Sequence, residues 1–336
     1  MHMFAPLRDI LHLDTIRTTV RFRLLHVFSA IAVLLLVVEV ASGVLLVAYY
    51  RPTAADAFSS VAIVTDEVWL GWLVRSLHVW CADFLILFSF LHLIRVYFAH
   101  AYAAPRQLTW VTGILLLCVL LTFGFTGTLL PWDQYAYWST EGARRTIAAV
   151  PGLGTVVLNL MWGGWAIGEE VLLRFYVLHI GVLPWIAALL LWLHLLLVWR
   201  FGLTEPVLRS RRYGRLPSSF FPDFVLNLLI AVLLLFGILV SIATFFPATL
   251  GAPADPIKAL GVVRPRWYFM ASRELVRQLP GKLATLALLA AFVLLILVPV
   301  IDGRPDTTRW KAIVRWTLGA LVLAGALALG IKAYVT

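Results

Sequence analysis

Four of the eight histidines in this 336-residue chain lie inside long apolar stretches, His78 with His92 in one and His179 with His194 in another. The first pair is 14 residues apart and the second 15. In a helix rising 1.5 Å per residue, each pair spans about 21 to 22 Å along the axis. At about 100° per residue, 14 steps return to within roughly 40° of the starting face and 15 to within about 60°. Both histidines of each stretch can therefore face one bundle interior. With the two helices running the same way, His78 stands level with His179 and His92 with His194. Two level pairs of imidazoles on facing helices are what two bis-histidine haems require. The alternative for any single membrane histidine is a hydrogen bond between helices, since a polar group at that depth needs a partner. Such packing roles do not account for two matched pairs.

Small residues follow the same period. Gly113 and Gly127 lie 14 apart on a third apolar stretch, and Gly43 has Ser29 as its counterpart 14 residues earlier. Close backbone approach is expected at both haem levels, although glycines in membrane helices also serve ordinary helix packing. Arg75, three residues before His78, is a partner for a haem propionate. Arg95 and Arg106 are candidates for the second haem, with snorkelling to the interface as the alternative. His100 and His26 read as interfacial, and His2 and His12 belong to the N-terminal tail. Cys81 and Cys118 lie in apolar stretches without a CxxCH motif and read as small buried residues.

The elements that must hold these residues are membrane helices. A chain 62% hydrophobic and 13% charged has too little polar surface for a soluble globule of this size. Apolar runs near 27–50, 68–98, 108–130, 171–199, 224–246, 283–301 and 313–334 each approach the length of about 20 residues that crosses a bilayer. The expected fold is an all-α integral membrane protein with seven transmembrane helices. Residues 1–210 form a four-helix haem-binding bundle and 211–336 a three-helix C-terminal part, joined through the basic stretch RSRRYGRLPSSFFPD.

The net charge of +10 reads as cytoplasmic loop charge rather than nucleic-acid binding. Arg8, Arg17, Arg21 and Arg23 precede the first run without a cleavage-site pattern, and Arg200, Arg209, Arg211, Arg212 and Arg215 follow the fourth. This places the N-terminus inside a bacterial-type cell membrane and, after seven spans, the C-terminus outside. The loop between the fifth and sixth runs breaks the trend, with Lys258, Arg264, Arg266, Arg273, Arg277 and Lys282 on the outer side.

The stretches YYRPTAADAFSSVAIVTDEVWLGWLVRSLHVW, LTWVTG, GFTGTLLPWDQYAYW and RFYVLHIGVLP resemble cytochrome b of the quinol–cytochrome oxidoreductases. The likeness is greatest to the split, plastid-type cytochrome b, whose second histidine pair also has the 15-residue interval. From about residue 210, PADP at 253–256, RWYF at 266–269 and PGKL at 280–283 resemble the separate subunit IV of that complex. The resemblance implies that His78, His179, His92 and His194 are the axial, metal-ligating residues of two haem b groups. It also implies quinone as substrate, a Rieske-type iron–sulfur protein and a c-type cytochrome as partners, and a homodimeric complex.

Two departures from the family pattern matter. Plastid-type relatives attach a third haem through a cysteine near the start of the first helix. Val27 stands there in this chain, so no covalent haem is expected. The family's outer quinol site carries Pro-Glu-Trp-Tyr, where this chain has Pro265-Arg266-Trp267-Tyr268. An arginine stays protonated and cannot take the glutamate's proton-accepting role. It can donate hydrogen bonds to a quinone oxygen. Glu274 and Asp133 are the acids available as replacements, and the alternative for Glu274 is a surface pair with Arg273 or Arg277.

Two functions remain open. One is a bifurcating subunit that oxidises quinol outside, passes an electron through both haems and reduces quinone inside, with proton translocation. The other is a di-haem conduit linking an extrinsic dehydrogenase or multihaem partner to the quinone pool. Arg266 and the basic outer loop favour the latter, because a basic surface suits an acidic redox partner.

Overall fold

A computed structural model of the chain describes residues 17–18, 24–150, 152–164, 166–202, 218–219, 225–258, 260–304 and 308–335. Arg8, Arg21, Arg23, His2, His12, Arg209, Arg211, Arg212 and Arg215 lie outside the described residues, as do the side chains of Arg17, His26 and Val27.

Backbone polar groups in lipid must be satisfied internally, so apolar runs of this length become helices. The order is α1 (Leu24–Val47), α2 (Ala57–Asp66), α3 (Gly71–Phe98), α4 (Gln107–Leu129), α5 (Gln134–Ala148) and α6 (Leu153–Val157), which continues into a π turn at Leu158–Trp162. Next, α7 (Glu169–Tyr176) runs through a π-helical stretch, Val177–Val182, into α8 (Leu183–Phe201). The C-terminal part holds α9 (Val225–Phe245), a 3₁₀ turn at Trp267–Phe269, α10 (Met270–Gln278), α11 (Gly281–Ile301) and α12 (Arg309–Val335). Outside the helices, β1 (Arg17–Thr18) pairs antiparallel with β2 (Ser218–Ser219).

Six stretches are long and apolar enough to cross a membrane: Phe28–Val47, Gly71–Phe98, Gln107–Leu129, Glu169–Phe201, Gly281–Ile301 and Arg309–Val335. The fifth of the seven expected runs forms α9, whose described apolar stretch, Leu229–Phe245, is shorter than these six. These helices turn large apolar side chains outward, among them Val44 at 66% exposure and Leu189 and Leu321 at 63% each. That pattern suits lipid contact.

The loops hold structure that hydropathy alone does not disclose. α2, α5 and α6 are short, and α5 carries a polar face on which Glu141 pairs with Arg144 at 2.6 Å and Arg145 at 2.8 Å. Asp133 caps α5 by accepting from the Ala136 N–H at 2.8 Å.

The C-terminal part is fastened to the four-helix bundle at both ends. At one end, Arg75 donates to the carbonyls of Ala248 and Thr249 at 2.6 and 3.0 Å, and Asp133 Oδ2 accepts from Gly251 N at 3.0 Å. At the other, Asp302 Oδ2 accepts from the Tyr102 hydroxyl at 2.8 Å and from Arg315 at 3.1 Å. Its carbonyl meets His100 Nε2 at 2.7 Å. Between these ends, Leu35, Cys81, Leu85 and Leu239 bury α9 against α1 and α3. Cys81 is thus a small core residue, its Sγ 3.3 Å from the Leu35 carbonyl.

Candidate haem and quinol sites

Three of the four membrane histidines sit in cradles of one design. His78 Nδ1 is 3.0 Å from Ser42 Oγ, His179 Nδ1 3.0 Å from Thr126 Oγ1 and His194 Nδ1 3.0 Å from Thr112 Oγ1. Each hydroxyl directs its own proton to the carbonyl four residues earlier, Val38 at 2.8 Å, Thr122 at 2.9 Å and Leu108 at 3.1 Å. The hydroxyl therefore accepts from the imidazole, which fixes the proton on Nδ1 and leaves the Nε2 lone pair for a metal. The next residue in each case is glycine. A Cβ on Gly43 would stand 3.3 Å from His78 Cε1, one on Gly113 3.3 Å from His194 Cε1, and one on Gly127 2.8 Å from His179 Cε1. The space these glycines leave is taken by the imidazoles, which sharpens the expectation that the glycines make room for haem itself.

The 15-residue interval has a structural cause. His179 lies within the π-helical stretch Val177–Val182, whose wider turn takes in one residue more than an α turn. That extra residue restores His194 to the face that a 14-residue spacing gives on α3. His92 is half-buried further along α3, and Ser29 is half-buried on α1.

The rings of His78 and His179 meet edge to face, at an interplanar angle of 71°, with centroids 6.4 Å apart. Two metal–nitrogen bonds of about 2.0 Å, with about 1.1 Å from each nitrogen to its ring centre, require about 6.2 Å. The pair thus fits a bis-imidazole haem iron. Among the described residues no cluster of three or more His, Cys, Asp or Glu could hold a metal ion, and a haem needs only two axial ligands from the protein.

Of the arginines expected near haem, Arg75 is buried with its two described bonds on the Ala248 and Thr249 carbonyls. Arg106 precedes α4 and donates to the Gly202 carbonyl at 3.1 Å. Arg95 lies in the last turn of α3.

The loop residues Arg266, Trp267 and Tyr268 converge on the face of α3 turned away from His78. Arg266 Nη1 is 3.2 Å from Asp83 Oδ2, and the Trp267 side chain also hydrogen-bonds Asp83. Asp83 is five residues beyond His78, about 140° around the helix. Trp267 packs on Phe90 with ring centroids 6.3 Å apart, and Phe269 on Phe125 at 6.4 Å. The Tyr268 hydroxyl lies where a Cβ on Gly124 would be, so this glycine admits the phenol between α3 and α4. Burial, with the charge of Asp83 next in weight, pushes the Tyr268 phenol well above its ordinary pKa, keeping it a donor.

The two acids suggested by sequence are otherwise engaged. Glu274 is fully enclosed, and its oxygens accept from Arg277 at 2.8 and 2.9 Å and from Gln278 at 2.8 Å, with Lys332 at 3.5 Å. The hydrogen bonds from Arg277 lead in holding its pKa down to about 2. Asp133 uses one oxygen to cap α5 and the other on Gly251. Asp83 escaped sequence reading because it sits mid-helix with no motif. The sequence signal that could have found the cradles is the dipeptide Ser42-Gly43, Thr112-Gly113 and Thr126-Gly127, the last two 14 residues apart.

Comparison with known proteins shows the family. Residues 15–202 match the family described as Cytochrome b/b6/petB, and residues 253–334 match Cytochrome b(C-terminal)/b6/petD. The chain is 34% identical over 306 residues to the cytochrome bc complex cytochrome b subunit of Chlorobaculum thiosulfatiphilum, covering 89% of this chain and 71% of that one. It is 40% identical over 182 residues to cytochrome b6 of Gloeobacter violaceus, covering 54% of this chain and 85% of that protein. A solved structure described as hyperthermophilic respiratory Complex III superposes with a TM-score of 0.77 at 25% identity, covering 99% of this chain and 97% of the other. The chain belongs to the cytochrome b/b6 family, with the b6-like N-terminal and subunit IV-like C-terminal parts in one polypeptide.

Proposed function

We propose that this chain is the di-haem cytochrome b subunit of a bc-type quinol oxidoreductase. The observation that carries the reading is the approach of the His78 and His179 rings to 6.4 Å, with both Nδ1 atoms tied back by hydroxyls. His92 and His194 hold the second haem, about 21 Å along the bundle. The haems supply one-electron carriage across the membrane; the chain fixes their ligands and excludes water around them. The remaining donors of Arg75, with Arg95 and Arg106, are the propionate partners. Seven helices span the membrane, with the N-terminus in the cytoplasm and the C-terminus outside.

The quinol site lies at the outer haem level, where Tyr268 offers a phenolic donor and Asp83 a carboxylate paired with Arg266. Asp83 brings an acid to the Pro265–Tyr268 stretch, which has none of its own, and its presence favours quinol oxidation over the conduit reading. Quinol loses two protons and two electrons there, one electron to the outer haem and one to an iron–sulfur protein that passes it to a c-type cytochrome. Quinone is reduced at the inner haem with protons from inside, so the cycle translocates protons. The relative named as part of a bc complex and the structural neighbour described as Complex III support membership of a multi-subunit complex. Isolation of the intact complex tests the reading. An iron–sulfur subunit and quinol-driven reduction of the b haems are expected, whereas a dehydrogenase partner with no quinol oxidation supports the conduit.

A further inference from the structure

Glu39 is the one acidic or basic residue among the described side chains of α1, and it lies in the middle of a membrane span. Such a group is costly there and persists only with a specific partner. Its Oε2 is 2.8 Å from His78 Nδ1, its side chain is 12% exposed, and the Cys81 thiol also hydrogen-bonds its carboxyl group. His78 is thereby distinguished from the other two cradled histidines. In all three cradles the carbonyl three residues before the hydroxyl also approaches the imidazole, from Glu39, Phe123 and Thr109. Phe123 has no polar side chain, and Thr109 is a neutral hydroxyl residue. Only at His78 does the residue in that position add a carboxylate to the same nitrogen.

We infer that Glu39 is a positioning residue that lowers the reduction potential of the haem held by His78 and His179 relative to that held by His92 and His194. An Nδ1–H that donates to a carboxylate shifts electron density toward Nε2 and makes the imidazole a stronger donor. A stronger axial donor favours ferric over ferrous iron, so the potential falls. Of two haems in series, the one nearer quinol oxidation then passes its electron downhill to the other. The asymmetry is built from one side chain on α1 rather than from different ligands, because all four ligands are histidines.

The inference rests on the two-haem reading above, and the test separates the two. Both b haems are titrated redox-potentiometrically in the intact complex, wild type against Glu39→Gln, with Ser42→Ala as a control that keeps the carboxylate. Glu39→Gln is expected to shift electron sharing between the haems at least tenfold toward the His78/His179 haem, a rise of about 59 mV for a one-electron couple. The other haem stays unchanged, and Ser42→Ala produces the smaller shift. Two haems present with neither potential moved by Glu39→Gln overturns the inference. Absence of two haems in the wild type defeats the underlying reading instead. Should Glu39→Gln fail to assemble, the ferric near-infrared charge-transfer bands of the wild type decide. One haem with imidazolate-like character supports the inference, and two equivalent haems overturn it.

Discussion

Replacing Gly127 with alanine presses directly on His179, a haem ligand in the proposed function. The added methyl would lie 2.8 Å from His179 Cε1, 3.4 Å from Nδ1 and 3.5 Å from Nε2, whereas ordinary contact begins at 3.4 Å. The ring must withdraw by about 0.6 Å, but Thr126 on the same helix holds its Nδ1, and its Nε2 would have to stay within bonding reach of a haem iron. Overpacking of this kind costs about 1–3 kcal/mol. At 1.4 kcal/mol per tenfold, haem affinity at that level falls by roughly 5- to 150-fold. Gly43→Ala and Gly113→Ala meet their histidines at 3.3 Å and need only about a tenth of an ångström. Haem is counted by pyridine haemochrome, with low-temperature difference spectra to resolve the two levels. Gly127→Ala should lose the His78/His179 haem selectively, while Gly113→Ala retains both. Full occupancy in Gly127→Ala, with Gly113→Ala the more damaging change, would refute the cradle geometry.

Asp83→Asn should slow quinol oxidation about 10²-fold with both haems retained, the scale of a lost acid–base partner; an unchanged rate removes Asp83 from that chemistry. Exchanging the charges, Asp83→Arg with Arg266→Asp, should recover part of the activity that Asp83→Arg alone loses, and equal losses in the single and double variants would argue against the pairing. Glu274 is held at about 2 against an ordinary 4.5, so its clamp on Arg277, Gln278 and Lys332 contributes fully above about pH 4.5 and is lost as pH falls toward 2. Glu274→Gln should therefore lower thermal stability in detergent at pH 7, with the gap to wild type closing over that acid range. A gap that persists to pH 2 would contradict this.

The membrane helices and the paired histidines within them were legible because lipid forces regular structure and the histidines keep a helical period. Apolar length located α1, α3, α4, α8, α11 and α12, and the histidine spacing selected the faces of α3 and of the helix that runs from α7 through the π-helical stretch into α8. Gly43, Gly113 and Gly127 were expected to make room for haem, and in the structure the atoms nearest to them are those of the imidazoles. Residues whose meaning depends on another helix were illegible. Asp83 acquires a role only when Arg266 arrives from 183 residues away, and Glu39 only against His78. Asp302 likewise joins the two halves through His100 and Tyr102, contacts that no local pattern encodes. The extra residue between His179 and His194 was visible as a number, but its accommodation by a π turn was not.

The central claim is that four histidines on α3 and the α7–α8 helix hold two b haems. A pyridine haemochrome assay of the purified chain, normalised to polypeptide by amino-acid analysis, addresses it directly. The account predicts two haems per chain with b-type spectra. A single haem per chain, or a c-type signal on this polypeptide, would contradict it.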